Sequence, residues 1–225
     1  MIYISTYAEK NWGDCSKAVA YSLNFAQMCY TSGDWSRFYD ITCDKCEYDV
    51  QNKPFEYPKG NFSKKDYFIL DMLVYGVSEN MKNDMLSFGI SEEIFRPIYT
   101  KKHDIVLGYQ IVPKNILPLT YKENGMYEYS KCEKCGKIQY ELYDEIAFMK
   151  VYNDLGFPEY INQEAFNKLE DINALGERPE NSVIISLDLY NYLIKKYPRL
   201  ECRPVYIGTV YEDKEYLKQK NESSC

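Results

Sequence analysis

Apolar positions along this chain fall in short blocks broken by polar turns, which predicts many short strands and few helices. Residues 1–6 form a short apolar run read as a strand, with a polar turn at 11–14. Over residues 17–30, Ala18, Tyr21, Leu23, Phe25 and Met28 recur at loosely helical spacing and predict a helix. Residues 37–49 lean toward β structure around a tight turn, and 51–65, with Pro54, Pro58 and Gly60, read as a loop. Residues 68–75 predict one strand. Residues 78–88 place Met81, Met85 and Phe88 on one helical face, with Ser78 as N-cap and Gly89 as the stop. Residues 95–99 are a short strand that Pro97 should confine to an edge or a strand start. Strand 104–112, β-leaning flanks over 127–143, a weak helix at 162–170, a strand end or loop at 183–185, a helix at 187–197 and a last strand at 203–208 complete the pattern.

One internal echo runs through these elements. Val77-Ser78 opens a helix that leads to Phe95-Arg96-Pro97-Ile98-Tyr99, and Ile185-Ser186 opens one that leads to Cys202-Arg203-Pro204-Val205-Tyr206. The serines stand 108 positions apart (186 less 78) and the Arg-Pro pairs 107 (203 less 96). A pair of Cys-x-x-Cys motifs also repeats, 89 positions apart (132 less 43). The expected fold is therefore α+β: two related α/β halves, each a helix plus a short-strand sheet, joined by a zinc-knuckle site. The expected layout is residues 1–120 for the half with the first knuckle, 121–212 for the half with the second, and 213–225 for a flexible tail.

The candidate chemistry lies in the knuckles, Cys43-Asp44-Lys45-Cys46 and Cys132-Glu133-Lys134-Cys135-Gly136. A Cys-x-x-Cys turn points two sulfurs inward at a spacing suited to tetrahedral Zn²⁺, and two knuckles complete a four-thiolate shell. Such a shell has no open position, so Cys43, Cys46, Cys132 and Cys135 read as ligands of a structural Zn²⁺. Two other readings stay open. One is a set of reduced, half-buried thiols. The other is a thioredoxin-like redox pair, although that motif should open a helix and these flanks are β-leaning. Cys15, Cys29, Cys202 and Cys225 have no partner at ligand spacing and read as core or surface thiols.

Composition narrows the function. A formal net charge of −7 disfavours general nucleic-acid binding and suits a basic protein partner. The lone histidine, His103, sits in a polar turn, so no histidine-based catalytic constellation is available and no catalytic residue is assigned. No Gly-rich phosphate loop occurs, and carboxylate neighbours such as Glu92/Glu93 and Asp144/Glu145 read as solvated. No window is long and apolar enough for a transmembrane helix. The first ten residues lack a basic segment ahead of an apolar run, so the cytoplasm is the expected location. The chain has 24 tyrosines, and Tyr121, Tyr127, Tyr129, Tyr140 and Tyr143 crowd the second knuckle, with Tyr152 and Tyr160 following. Tyrosine supplies rigid contact area with a polar tip, as binding surfaces require.

These features together resemble the double-CXXCG-motif bacterial immunity proteins. The likeness rests on paired knuckles, the second ending Cys-x-x-Cys-Gly, on a Val-Ser helix leading to a Pro-Ile/Val strand, and on a closing Ile-Ser helix and strand. It spans most of residues 37–208 and departs at Glu47, where the family has glycine. The resemblance implies a non-enzymatic protein that binds and neutralises a cognate toxin, with Cys43, Cys46, Cys132 and Cys135 as metal ligands. Two alternatives remain: a zinc-stabilised regulatory or nucleic-acid-binding module, which would need a basic stripe, and an enzyme with an unfamiliar acidic pocket.

Overall fold

The computed structural model describes residues 14–24, 28–29, 38–46, 48–51, 53–57, 65–70, 74–118, 122–142, 159–175 and 183–209, with residues 10, 12 and 62. The strand expected at 1–6 and the tail 213–225 lie outside the described residues. The strands, in chain order, are β1 (Ala20–Leu23), β2 (Met28–Cys29), β3 (Tyr39–Cys43), β4 (Tyr48–Gln51), β5 (Glu56–Tyr57), β6 (Tyr67–Leu70), β7 (Val74–Val77) and β8 (Phe95–Thr100). They continue as β9 (Val106–Ile111), β10 (Asn115–Leu117), β11 (Met126–Lys131), β12 (Ile138–Leu142), β13 (Glu159–Ile161), β14 (Ile172–Leu175), β15 (Val183–Ser186) and β16 (Cys202–Ile207). Among the described residues the α-helices are α1 (Glu79–Phe88), α2 (Gln163–Asn167) and α3 (Leu187–Leu193). The fold is α+β and mostly sheet.

Two six-stranded sheets carry the two halves, in the orders β2-β6-β7-β9-β8-β5 and β10-β14-β15-β1-β16-β13. Strand for strand the second order is the first with eight added, except that β9 is matched by β1. Neighbour orientations agree throughout: parallel, three antiparallel, parallel. Registers agree as well. Tyr109 stands opposite Val77 and Pro97, and Tyr21 opposite Ile185 and Pro204. In chain order the molecule is thus a tandem repeat, β1 to β8 and then β9 to β16. The repeats have exchanged first strands: β1 completes the sheet of the second repeat and β9 that of the first. The two halves therefore interlock instead of meeting at residue 120, and β10, before that position, edges the second sheet.

The matched helices start identically. Ser78 Oγ accepts from the Met81 N–H (3.2 Å) and donates to Asp66 Oδ1 (2.7 Å). Ser186 Oγ accepts from the Leu189 N–H (3.1 Å) and donates to Asp171 Oδ1 (2.7 Å). Each serine backbone N–H also donates to the carbonyl of the same aspartate. Both helices pack over the exchanged strands. Lys82 Nζ lies 4.2 Å from the Tyr109 ring centre, and in the matching place Tyr190 stacks on Tyr21 at 3.6 Å. The helices meet each other through a second matched pair, Asp84 with Lys196 and Phe88 with Tyr192 (ring centres 5.2 Å apart). Tyr197 Oη adds a bond to Asp84 Oδ2 at 2.7 Å. Contacts that map onto each other when the halves are swapped are the signature of a two-fold interface. Removing a cap hydroxyl costs roughly 1–2 kcal/mol. Ser78→Ala and Ser186→Ala should each lower the urea midpoint accordingly, with an unchanged denaturant slope.

One shared core lies under the helices and joins both sheets, with Val77, Met81, Met85 and Ile111 from one half and Ile185, Leu189, Leu193 and Cys202 from the other. The opposite sheet faces carry their own clusters, aromatic in the first half (Phe38, Phe55, Tyr57, Phe68) and aliphatic in the second (Leu117, Ile161, Ile184, Val205). Burial on both faces explains a correction. The helix expected over 17–30 is two strands, β1 and β2. All four residues of β1 are buried, so its sequence shows no alternation. Residues 68–75 likewise span an antiparallel pair, β6 and β7, not one strand. Pro97 is not at a sheet edge: β8 lies between β9 and β5. It is tolerated because, among the described residues, β5 pairs with Tyr99 and Thr100 and no strand pairs with Pro97 on that side.

A candidate metal centre of four cysteines

Each knuckle sits at the end of its own two-stranded hairpin, β3-β4 and β11-β12. Both hairpins carry a register shift on the entering strand, between Ile41 and Cys43 and between Glu128 and Ser130. An extra residue there sharpens the local twist. The first hairpin is tied to the first sheet by a buried amide pair. Gln51 Nε2 donates to Gln110 Oε1 (3.0 Å), and Gln110 Nε2 donates to Gln51 Oε1 (2.7 Å). Gln110 belongs to the exchanged strand β9, so this bond links one repeat's knuckle hairpin to the other repeat's strand.

The hairpins bring together all four cysteines singled out in the sequence. Their sulfurs lie within 4.8 Å of one another. Cys43 Sγ is 3.8 Å from Cys132 Sγ, and Cys46 Sγ is 3.5 Å from Cys135 Sγ. A tetrahedral site with metal–sulfur bonds of ~2.3 Å needs sulfurs ~3.8 Å apart, whereas a disulfide needs ~2.05 Å. The separations match a metal shell, and the four cysteines form a cluster suited to hold a metal ion. Among the described residues no other group of His, Cys, Asp and Glu gathers in this way.

Backbone amides support thiolates here. The amides of Cys46 and Lys45 point at Cys43 Sγ and lower its pKa from the ordinary thiol value. Those of Cys135 and Lys134 do the same for Cys132, down to about 6. Hydrogen bonds to the charged form favour it. The second turn closes through Gly136, whose N–H donates to Cys132 O at 2.8 Å and whose φ is +75°. That left-handed conformation suits glycine. Glu47, at the matching place in the first knuckle, lies outside the described residues.

Charges cross between the knuckles. Lys134 Nζ meets Asp44 Oδ1 at 2.6 Å, and Lys45 pairs with Glu133. Exchanging the halves turns one pair into the other, so the local two-fold axis passes through the cysteine cluster. All four side chains are more than half exposed. Each pair therefore adds little stability and mainly sets the register.

Other candidates sit elsewhere. His103 lies outside the cluster, exposed, against Glu56 and stacked on Tyr99 with ring centres 5.0 Å apart. Glu92 and Glu93 are solvated and pair with Lys82 and Lys114; Asp144 and Glu145 lie outside the described residues. Cys202 is a core thiol, fully buried, and burial raises its pKa. Cys15 packs half-buried against the same core. Of the tyrosines near the second knuckle, Tyr127 and Tyr129 fall on β11 and Tyr140 on β12, and Tyr160 is buried on β13. Tyr121, Tyr143 and Tyr152 lie outside the described residues. The crossed ion pairs and the Gln51–Gln110 pair escaped the sequence reading; the 89-residue offset, which matches Asp44 to Glu133 and Lys45 to Lys134, was the available signal for the former.

The depressed thiol pKa values give a signed pH dependence. Stability from a lowered pKa is present above the unfolded-state value and lost as pH falls through the folded one. With Cys132 at about 6, melting temperature should fall as pH drops from the ordinary thiol range toward that value. Any bound metal should leave as the solution is acidified, because protons compete for the same sulfurs. Thermal melts across a pH series, with a chromogenic chelator present, measure both.

The chain matches no family model, and no curated protein or solved structure is significantly similar to it. Among the described residues, no helix is long and apolar enough to cross a membrane.

Proposed function

We propose that the cluster holds one structural Zn²⁺ and that the protein is a cytoplasmic immunity protein, which binds and neutralises a cognate bacterial toxin domain without turnover of its own. The observation that carries this reading is the clasp. Two Cys-x-x-Cys turns from interlocked repeats meet in a four-thiol group, and a metal held there has no coordination position left for a substrate. All-sulfur donors at these separations suit Zn²⁺. The resemblance to double-CXXCG-motif immunity proteins points the same way. So do the acidic balance, the single histidine and the abundance of tyrosine. Lys45 and Lys134 are neutralised by Glu133 and Asp44, which weakens the case for a basic nucleic-acid surface at the knuckles.

The test is co-expression with any toxin domain encoded beside it. The chain should restore growth and co-purify with that domain. If the partner is basic, association should slow as salt rises, because steering is screened beyond ~8 Å at physiological ionic strength. Neither rescue nor co-purification would leave the zinc-stabilised regulatory module as the better reading.

A further inference from the structure

The four sulfurs are not equivalent in their access to solvent. Cys43 and Cys132 are 1% and 8% exposed, and they form the inner pair. Cys46 is half-buried and Cys135 is open to solvent, and they form the outer pair. The outer sulfurs are also the closer two, 3.5 Å against 3.8 Å. Both pairs join residues 89 positions apart, one from each repeat.

We propose that Cys135 and Cys46 are an oxidation site for hydrogen peroxide, whose product is a disulfide across the two repeats that expels the metal. This rests on the metal reading above. The exposed Cys135 thiolate attacks a peroxide oxygen. The O–O bond breaks, hydroxide leaves, and Cys135 becomes a sulfenic acid. The Cys46 thiolate then attacks that sulfur. The S–S bond forms, the S–O bond breaks, and a second hydroxide leaves. The two sulfurs together lose two electrons and the peroxide gains them. A metal bound there would keep its charge but would be left with the two inner thiolates, Cys43 and Cys132, too few to hold it in a tetrahedral shell. Bond formation requires the outer sulfurs to close from 3.5 Å to ~2.05 Å, a shift of ~1.5 Å at the tips of two hairpin turns.

The pairing has a structural consequence. A disulfide within one knuckle would leave no sulfur link between the two hairpins once the metal departs. A Cys46–Cys135 disulfide replaces the metal clasp with a covalent one between the same segments. The oxidised chain should therefore lose its metal and keep its fold.

The experiment uses the full-length purified protein, reduced, desalted and assayed for metal first. Hydrogen peroxide is added with a chromogenic chelator present, remaining thiols are alkylated, and cross-linked peptides are identified by mass spectrometry. The expected result is complete release of the bound metal, loss of two ligand thiols, a peptide joining Cys46 to Cys135, and unchanged circular dichroism. Reductant with added Zn²⁺ should reverse all of it. Retained metal with four alkylatable ligand thiols overturns the proposal. So does a disulfide within a knuckle, Cys43–Cys46 or Cys132–Cys135. Protein without metal before peroxide overturns the zinc reading itself, and the pair assignment then stands or falls on the cross-linked peptide alone.

Discussion

Cys132→Ser should abolish metal binding and lower the melting temperature by about 10 °C or more. Cys132 is buried, accepts two backbone amides and faces Cys43 across the local two-fold axis. Serine oxygen is a poor ligand in an all-sulfur shell, so the site would lose its affinity. A metal held there would join segments 89 positions apart. A cross-link over a loop of that size constrains the unfolded chain by about 4–5 kcal/mol in the chain-entropy account. Whole domains are stable by only about 5–15 kcal/mol, and each kcal/mol moves the melting temperature of a chain this size by about 2–4 °C. The interlocked sheets and shared core should keep the variant folded at low temperature. Calorimetry with metal analysis checks both parts: wild-type melting and metal content in the variant would refute the clasp.

The second large effect belongs to Gly76. Phe68 stands directly opposite Gly76 on β6 and β7, and its ring lies over both Gly76 and Gly108. A Cβ on Gly76 would come within 2.2 Å of Phe68 Cε2. The matching positions in the other repeat are Asn173, Ile184 and Ala20; there Asn173 stands opposite Ile184, and no aromatic ring needs room. Gly76→Ile should therefore cost about 3 kcal/mol, at the upper end for overpacking. Phe68→Ala in the same chain should recover part of that loss, since the two side chains compete for one space. Urea unfolding of both single variants and the double variant decides it. A Gly76→Ile chain within about 0.5 kcal/mol of wild type would refute the packing account.

The residues that announced themselves in the sequence are those whose role is local. The Cys-x-x-Cys turns, Ser78 and Ser186 as caps, and Gly89 as a stop act within a few positions of themselves, and the structure places them as read. The Arg-Pro echo marked the duplication because Pro97 and Pro204 occupy the same register against Tyr109 and Tyr21. What stayed hidden depends on distant partners. β1 lies between β15 and β16, more than 150 positions away in the chain, and is buried on both faces, so its apolar run lacks the alternation of a half-buried strand. The strand exchange is invisible for the same reason: nothing in Ala20–Leu23 says which of two matching sheets will receive it. The unequal offsets, 89 for the knuckles and 108 for the caps, reflect the longer stretch between β12 and β14 than between β4 and β6.

The most direct measurement is the metal content of protein purified without added zinc, combined with a native thiol titration. The account predicts one Zn²⁺ per chain, with Cys43, Cys46, Cys132 and Cys135 reacting only after the ion is stripped. A ratio near zero, with those four thiols titrating freely in the folded protein, would contradict it.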